Sequence, residues 1–161
     1  TYPQKNSLTG SFCYTDNMSD YDPNYVPVLA YFLLGVKVII ENQKGQVLLL
    51  QRSDKASSSH DWGFPGGGVD KNENPSESAK RECLEESGLH ISDVRPISTT
   101  WIAENGKDAV IIGFTAKTDE NDITLSWEHE NYQWVDRTSQ ILKELPDLHQ
   151  TIYDSYLSLD Y

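Results

Sequence analysis

Basic residues are scarce in this chain: 13 Lys and Arg stand against 25 Asp and Glu in 161 residues, a formal net charge of −12. Without a basic stripe such a chain repels a nucleic-acid backbone, because it has too few cations to release the counterions of the phosphates. The same deficit argues against docking on an anionic membrane surface. Long apolar runs are also missing. The longest, Val26 to Ile40, has 15 residues interrupted by Pro27 and Lys37, short of the roughly 20 that a membrane-spanning helix needs. Cysteine is limited to Cys13 and Cys83, which form neither a zinc spacing nor a disulfide framework. With no visible signal peptide, a reducing cytoplasm is the expected location. The chain starts at Thr1, so a native leader is left open, and the Asn17-Met18-Ser19 sequon is discounted. There is no internal repeat and no low-complexity tract.

What the sequence does hold is enough for a core: 37% hydrophobic and 11% aromatic residues over a length that suits one domain. Residues 1–24 are polar and aperiodic and are expected to form an N-terminal arm, with a single domain over 25–161. Tyr31 to Ile40 is β-branched and apolar, a predicted strand. Turn chemistry at Asn42-Gln43-Lys44-Gly45 joins it to a second strand, Gln46 to Arg52, in an expected hairpin. Trp62 to Val69, with three successive glycines, reads as a tight buried turn. Val94–Ala103 and Ala109–Lys117 are predicted strands joined at Asn105-Gly106, and Tyr132–Val135 a short one. From Thr138 onward, Ile141, Leu142, Leu145, Leu148, Ile152, Tyr156 and Leu157 recur at helical spacing across Pro146. The elements lack a regular βαβ rhythm, so an α/β protein with a mixed sheet covered by helices is expected.

Asn74-Pro75-Ser76-Glu77 marks a helix start, with Asn as cap, Pro at the first position and Glu placed for a capping box. Gly88 supplies the left-handed stop after Ser87. At about 100° per residue, Glu82, Glu85 and Glu86 crowd one face of this helix. Like charges there cost stability, a cost removed if a hard divalent cation such as Mg²⁺ or Mn²⁺ sits among them. A solvated acidic face is the plainer account of the same run. Phosphate handling by so acidic a protein calls for such a cation in any case.

The segment 67–89 reads Gly-x5-Glu-x7-Arg-Glu-U-x-Glu-Glu-x-Gly-U, with U apolar. This resembles the box of the Nudix hydrolases, with all of Gly67, Glu73, Arg81, Glu82, Glu85, Glu86 and Gly88 in place. At residue frequencies of about 5–7%, a chance match is on the order of one in a million. The one mild departure is Cys83 at an apolar position, where it serves as a small hydrophobe. Leu48–Arg52, Trp62–Gly67 and Glu128–Val135 extend the likeness on the flanks.

The resemblance implies an α/β/α sandwich and hydrolysis of a nucleoside diphosphate linked to another group, with Mg²⁺ or Mn²⁺. It implies metal ligation by Glu82, Glu85, Glu86 and the carbonyl of Gly67, and orientation of the carboxylates by Arg81. Glu73 would contact metal-bound water, contribute to substrate binding or hold the loop. Glu82 and Glu128 are alternative general bases. Arg52 ends a strand aimed at the same region and is a candidate phosphate or base contact, a surface ion pair being the other account. His60 and His129 read as loop residues, and Trp62, Trp101, Trp127 and Trp134 as core before stacking platforms. The tags of ADP-ribose and dinucleoside polyphosphate enzymes are missing downstream of the box. A nucleoside triphosphate is therefore the favoured small-molecule substrate, a nucleotide sugar or ADP-ribose-like compound the alternative, and a non-catalytic nucleotide-binding module the third reading. A homodimer is left open.

The charge is unevenly spread. Residues 67–89 hold six acids and three bases, residues 35–66 three acids and four bases, and residues 117–161 ten acids and three bases. Most of the excess lies outside the box, where it favours solubility and excludes nucleic acid.

Overall fold

Val36, Val38 and Ile40 point to one side of the first strand and Ile39 to the other, all at most 1% exposed, so this strand is buried on both faces. The computed structural model describes residues 31–58, 60–104 and 107–159; the expected arm and the Asn105-Gly106 turn lie outside them. Six strands form one mixed sheet: β1 (Leu33–Glu41), β2 (Gln46–Arg52), β3 (Trp62–Gly63), β4 (Ser92–Glu104), β5 (Lys107–Lys117) and β6 (His129–Asp136). Two α-helices, α1 (Pro75–Ser87) and α2 (Asp147–Leu157), and a 3₁₀ turn at Gln140–Lys143 complete the described chain.

β1 runs parallel to β5 from Leu33 opposite Ala109 to Glu41 opposite Lys117. β5 pairs antiparallel with β4, which lies at the end of the strand order and so tolerates Pro96 beside an irregularity in its register. β2 pairs antiparallel with β6 and, at Leu50 and Gln51, with β3. The expected hairpin of β1 and β2 is made only at its base, where Glu41 faces Val47. Beyond that point the two strands part, and each finds its main partner elsewhere.

Period-two alternation explains the three layers. Val36, Val38, Ile40, Leu48 and Leu50 share a core with Ala79 and Cys83 of α1. Ile39, Val47 and Leu49 share the opposite core with Ile152, Tyr153 and Tyr156 of α2. Each fully buried Val, Leu or Ile contributes about 1.5–3 kcal/mol, so a shift of one residue in β1 or β2 would forfeit both cores at once. The sandwich expected from the sequence is present, with one helix on each face. Among the described residues, no helix is long and apolar enough to cross a membrane.

α1 forms where its signals place it. The Asn74 side chain accepts from Ser76 N–H at 2.9 Å, and Gly88 closes the helix at φ 76°. The capping box is replaced: Glu77 accepts from Lys80 instead, at 2.9 Å. Small buried residues, Ser78, Ala79, Cys83 and Ser87, let the helix approach the sheet closely. Trp101 and Trp127, read as core, are 63% and 66% exposed.

Candidate functional site

The chain between β3 and α1 fills the gap that opens between β1 and β2. Phe64 belongs to the α2-side core, whereas Val69 packs on the α1 side, so the segment crosses the sheet. It does so as an extra ribbon along β1: Val38 N–H donates to Pro65 O, Val36 N–H to Gly67 O, and Val69 N–H to Leu34 O, each at 2.9 Å. Trp62 to Val69 is thus a short strand followed by a strand-like crossing, not the tight turn expected.

Gly66 lies at the crossing point. Its φ is 132°, and a Cβ there would stand 2.3 Å from Val36 O, so no other residue fits without displacing β1. Its N–H donates to Glu86 Oε2 at 2.8 Å, and its carbonyl accepts from the Lys37 ammonium. One glycine therefore joins a carboxylate of α1 to a cation on the α2 side. Gly67 is confined differently, since a Cβ would come within 2.7–2.9 Å of the Glu82 carboxylate.

Glu82, Glu85 and Glu86 share the site-facing rim of α1 but not one environment. Glu86 is 5% exposed; burial pushes its carboxyl up to about 7, against the pull of Lys37 and the Gly66 N–H. Arg81 Nη1 donates to Glu82 Oε1 at 2.7 Å and to Glu85 Oε2 at 3.2 Å. Its other nitrogens hold Glu73, with Nε on Oε1 at 2.9 Å and Nη2 on Oε2 at 3.0 Å, and Nη2 also donates to Gly68 O at 2.9 Å. Glu73 accepts in addition from Asp70 N–H at 3.0 Å. The Arg81 hydrogen bonds hold its carboxyl down at about 2. Both Glu73 oxygens are thereby committed to Arg81 and the loop.

With Glu82 and Glu85 drawn onto Arg81, no three acidic, His or Cys side chains among the described residues converge in a metal-holding arrangement. The donor set nevertheless fits a hard divalent cation: carboxylate oxygens of three residues on one rim, beside a glycine crossing free of side chains. The carbonyl expected to join them, that of Gly67, is engaged by Val36 N–H; the oxygen of Gly66 is the one on the Lys37 ammonium.

Arg52 and Glu128 meet at the neighbouring edge. Arg52 Nη2 donates to Glu128 Oε2 at 3.2 Å and Nε to Ser57 O at 2.8 Å, while Ser53 N–H donates to Glu128 O at 2.8 Å. The Ser126 N–H donates to Glu86 O at 3.2 Å, which ties the loop carrying Trp127 and Glu128 to the carboxylate helix.

On the α2 side, a cleft of about 380 Å³ opens behind Gly66, lined by Lys37, Arg52, Trp62, Phe64, His129 and His149 among others. Sequence reasoning missed three of these. Lys37 is partly buried, and burial lowers its pKa; the signal was a lone cation inside an apolar strand. His129 is no loop residue: it opens β6, is 8% exposed, and its Nδ1 is buried without a hydrogen-bond partner among the described residues. Burial, Arg52 and Lys37 bring it down to about 4. His149 had no signal beyond its place in an apolar helical pattern. Its Nδ1 accepts from Phe64 N–H at 3.0 Å, and burial, aided by Lys37, depresses it to about 3. The His60 side chain is paired with Glu130 at 2.6 Å.

A carboxylate-lined helix rim beside a glycine crossing, on an α/β/α sandwich, defines a class of hydrolase. The NUDIX domain family model matches residues 32–156, and the chain belongs to that family, whose enzymes act on phosphoric anhydride bonds. It is 42% identical over 73 residues to an RNA pyrophosphohydrolase of Hamiltonella defensa, a stretch covering 44% of this chain and 42% of that protein. The chain thus spans about two fifths of the length of the RNA pyrophosphohydrolases it matches. It is 35% identical over 102 residues to the mouse asymmetrical bis(5′-nucleosyl)-tetraphosphatase, 60% of this chain and 67% of that one. Among solved structures, the MutT protein of Methanosarcina mazei superimposes with a TM-score of 0.70 at 27% identity, over 84% of this chain and all of that one.

Proposed function

We propose that the protein hydrolyses an anhydride bond in the polyphosphate chain of a nucleoside triphosphate, with Mg²⁺ or Mn²⁺ held by Glu82, Glu85, Glu86 and a carbonyl of the Gly66–Gly67 crossing. The cation, when bound, screens phosphate charge and acidifies a water. The observation that carries this reading is the buried Glu86 carboxylate, 5% exposed, anchored by Gly66 N–H and faced by Lys37. So costly a charge persists where it has work to do.

Arg81 works by geometry. It gathers Glu82 and Glu85 on one guanidinium nitrogen and, through Glu73, pins the loop that brings Gly67 against Glu82. Glu128, on a separate loop, is the base that would take the proton of the attacking water, and the three rim carboxylates would hold the cation. Arg52 holds Glu128 and stands ready for a phosphate oxygen. The protein works in the cytoplasm on this reading, in keeping with Cys83 as a free, buried thiol.

A substrate with two nucleosides is the second reading. Trp127, 66% exposed and next to Glu128 in the chain, offers a stacking face, and the mouse relative carries a tetraphosphatase name. Nucleotide sugars are a third. Incubation with Mg²⁺ and a panel of nucleoside triphosphates, dinucleoside tetraphosphates, nucleotide sugars and ADP-ribose, with phosphate assayed with and without phosphatase, separates them. Ligand binding without turnover on any of these would make the protein a nucleotide-binding module.

A further inference from the structure

Gly63 and His149 are fitted to each other. A Cβ on Gly63 would stand 2.6 Å from Cε1 and Nε2 of the imidazole, so the ring lies flat against bare backbone where any other residue would expel it. The next residue fixes the ring's chemistry. Phe64 N–H donates to Nδ1 at 3.0 Å, which leaves the proton on Nε2, and the Phe64 ring leans on the imidazole with centroids 5.6 Å apart. His149 Nε2 has no partner among the described residues, and the residue lines the cleft of about 380 Å³ behind Gly66. That volume falls within the range of about 300–1,000 Å³ usual for small-molecule sites. Burial keeps the ring neutral, so it is a donor of fixed direction and no charge. Lys37, near enough to influence it, adds a second donor on the same wall. Trp62 and Phe64 supply aromatic surface beside them.

We propose that His149 is a specificity-determining residue of this cleft: its Nε2–H donates to a keto oxygen of the substrate's nucleobase, with Lys37 as companion donor. A keto oxygen accepts from both. An exocyclic amino group would set donor against donor and leave the His149 Nε2–H unpaired. Bases carrying a keto group at this position (guanine, hypoxanthine, uracil) are therefore taken ahead of adenine and cytosine. The inference rests on the nucleoside triphosphate reading and adds to it which part of the substrate enters the α2-side cleft.

The test is kcat/KM of the intact protein with Mg²⁺ on GTP, UTP, ATP and CTP, and on inosine and purine-riboside triphosphates. The last pair differs from ATP at the 6-position, inosine also in the proton its keto form carries on N1, and needs no variant. The expected result is a preference of about tenfold or more for inosine over both ATP and purine-riboside triphosphate. In His149→Ala, checked by thermal melting to be folded, that preference falls to within about twofold, through KM more than kcat. A merely structural role would slow all bases alike and leave the ratio intact. Equal turnover of all bases by the wild type, a preference for ATP, or a ratio surviving His149→Ala overturns the inference and leaves the hydrolase reading standing. No turnover of any triphosphate overturns both.

Discussion

The guanidinium of Arg81 faces the carboxylate of Glu73 in a two-pronged contact, Nε to Oε1 at 2.9 Å and Nη2 to Oε2 at 3.0 Å. With the same group also on Glu82, Glu85, Ser78 and Gly68 O, one side chain ties the loop to the carboxylate rim. A lysine has the charge but not the planar fork. Arg81→Lys should therefore lower kcat by about 10- to 100-fold while leaving the fold intact, measured by steady-state kinetics alongside a melting curve. An unchanged kcat would mean that Arg81 is a surface ion pair.

Gly66 and Gly67 should separate on substitution, although they are neighbours. Gly66→Ala drives a Cβ into Val36 O at 2.3 Å with φ held at 132°, a backbone clash the sheet cannot relieve. It should cost at least about 2 kcal/mol of stability. Gly67→Ala meets only the movable end of Glu82, so it should fold and lose activity. Chemical denaturation of both variants checks the contrast.

His129, buried, and His149, half-buried, set an acid limit. His149 and His129 are held at about 3 and about 4, against an ordinary 6.5, so between these values the unfolded chain binds more protons than the folded one. Their contribution is fully present above about pH 6.5 and is lost as pH falls toward 3. Melting temperatures measured from pH 7 to 4 should fall, and fall less steeply in His149→Asn. A slope unchanged by that substitution would place the acid sensitivity elsewhere.

Glu128→Gln keeps an acceptor for Arg52 and removes only the negative charge. If Glu128 takes the proton of the attacking water, kcat drops about 10²- to 10⁴-fold with KM little changed. A drop confined to KM would shift that role to Glu82.

Local signals made α1 legible to the residue, because Asn74, Pro75 and Gly88 act within one turn of its ends. They also marked the strands, whose alternation survives in both cores, and the box brought Arg81, Glu73 and the three rim carboxylates into one view. What stayed hidden depends on pairing between distant residues. β1 joins β5 in parallel, and no period within β1 announces that. The parting of β1 from β2, which admits Pro65 to Val69, follows from the choice each strand makes of another partner. Lys37 and His149 sit singly in apolar patterns and His129 between two glutamates, and only the crossing at Gly66 and the packing of α2 bring them to one cleft. The acids could be read because they are close in sequence; the cleft could not, because it is assembled from β1, β2, β3, β6 and α2.

Glu86→Gln tests the central claim most directly. The glutamine keeps an oxygen for Gly66 N–H and the same volume, so the crossing and the fold survive while the buried charge is removed. Pyrophosphate or phosphate release from nucleoside triphosphates, followed against Mg²⁺ concentration, should show kcat lowered by several orders of magnitude, about 10³-fold or more. Equal turnover by the variant and the wild type, with the same Mg²⁺ dependence, would contradict the assignment of this rim as the catalytic metal site.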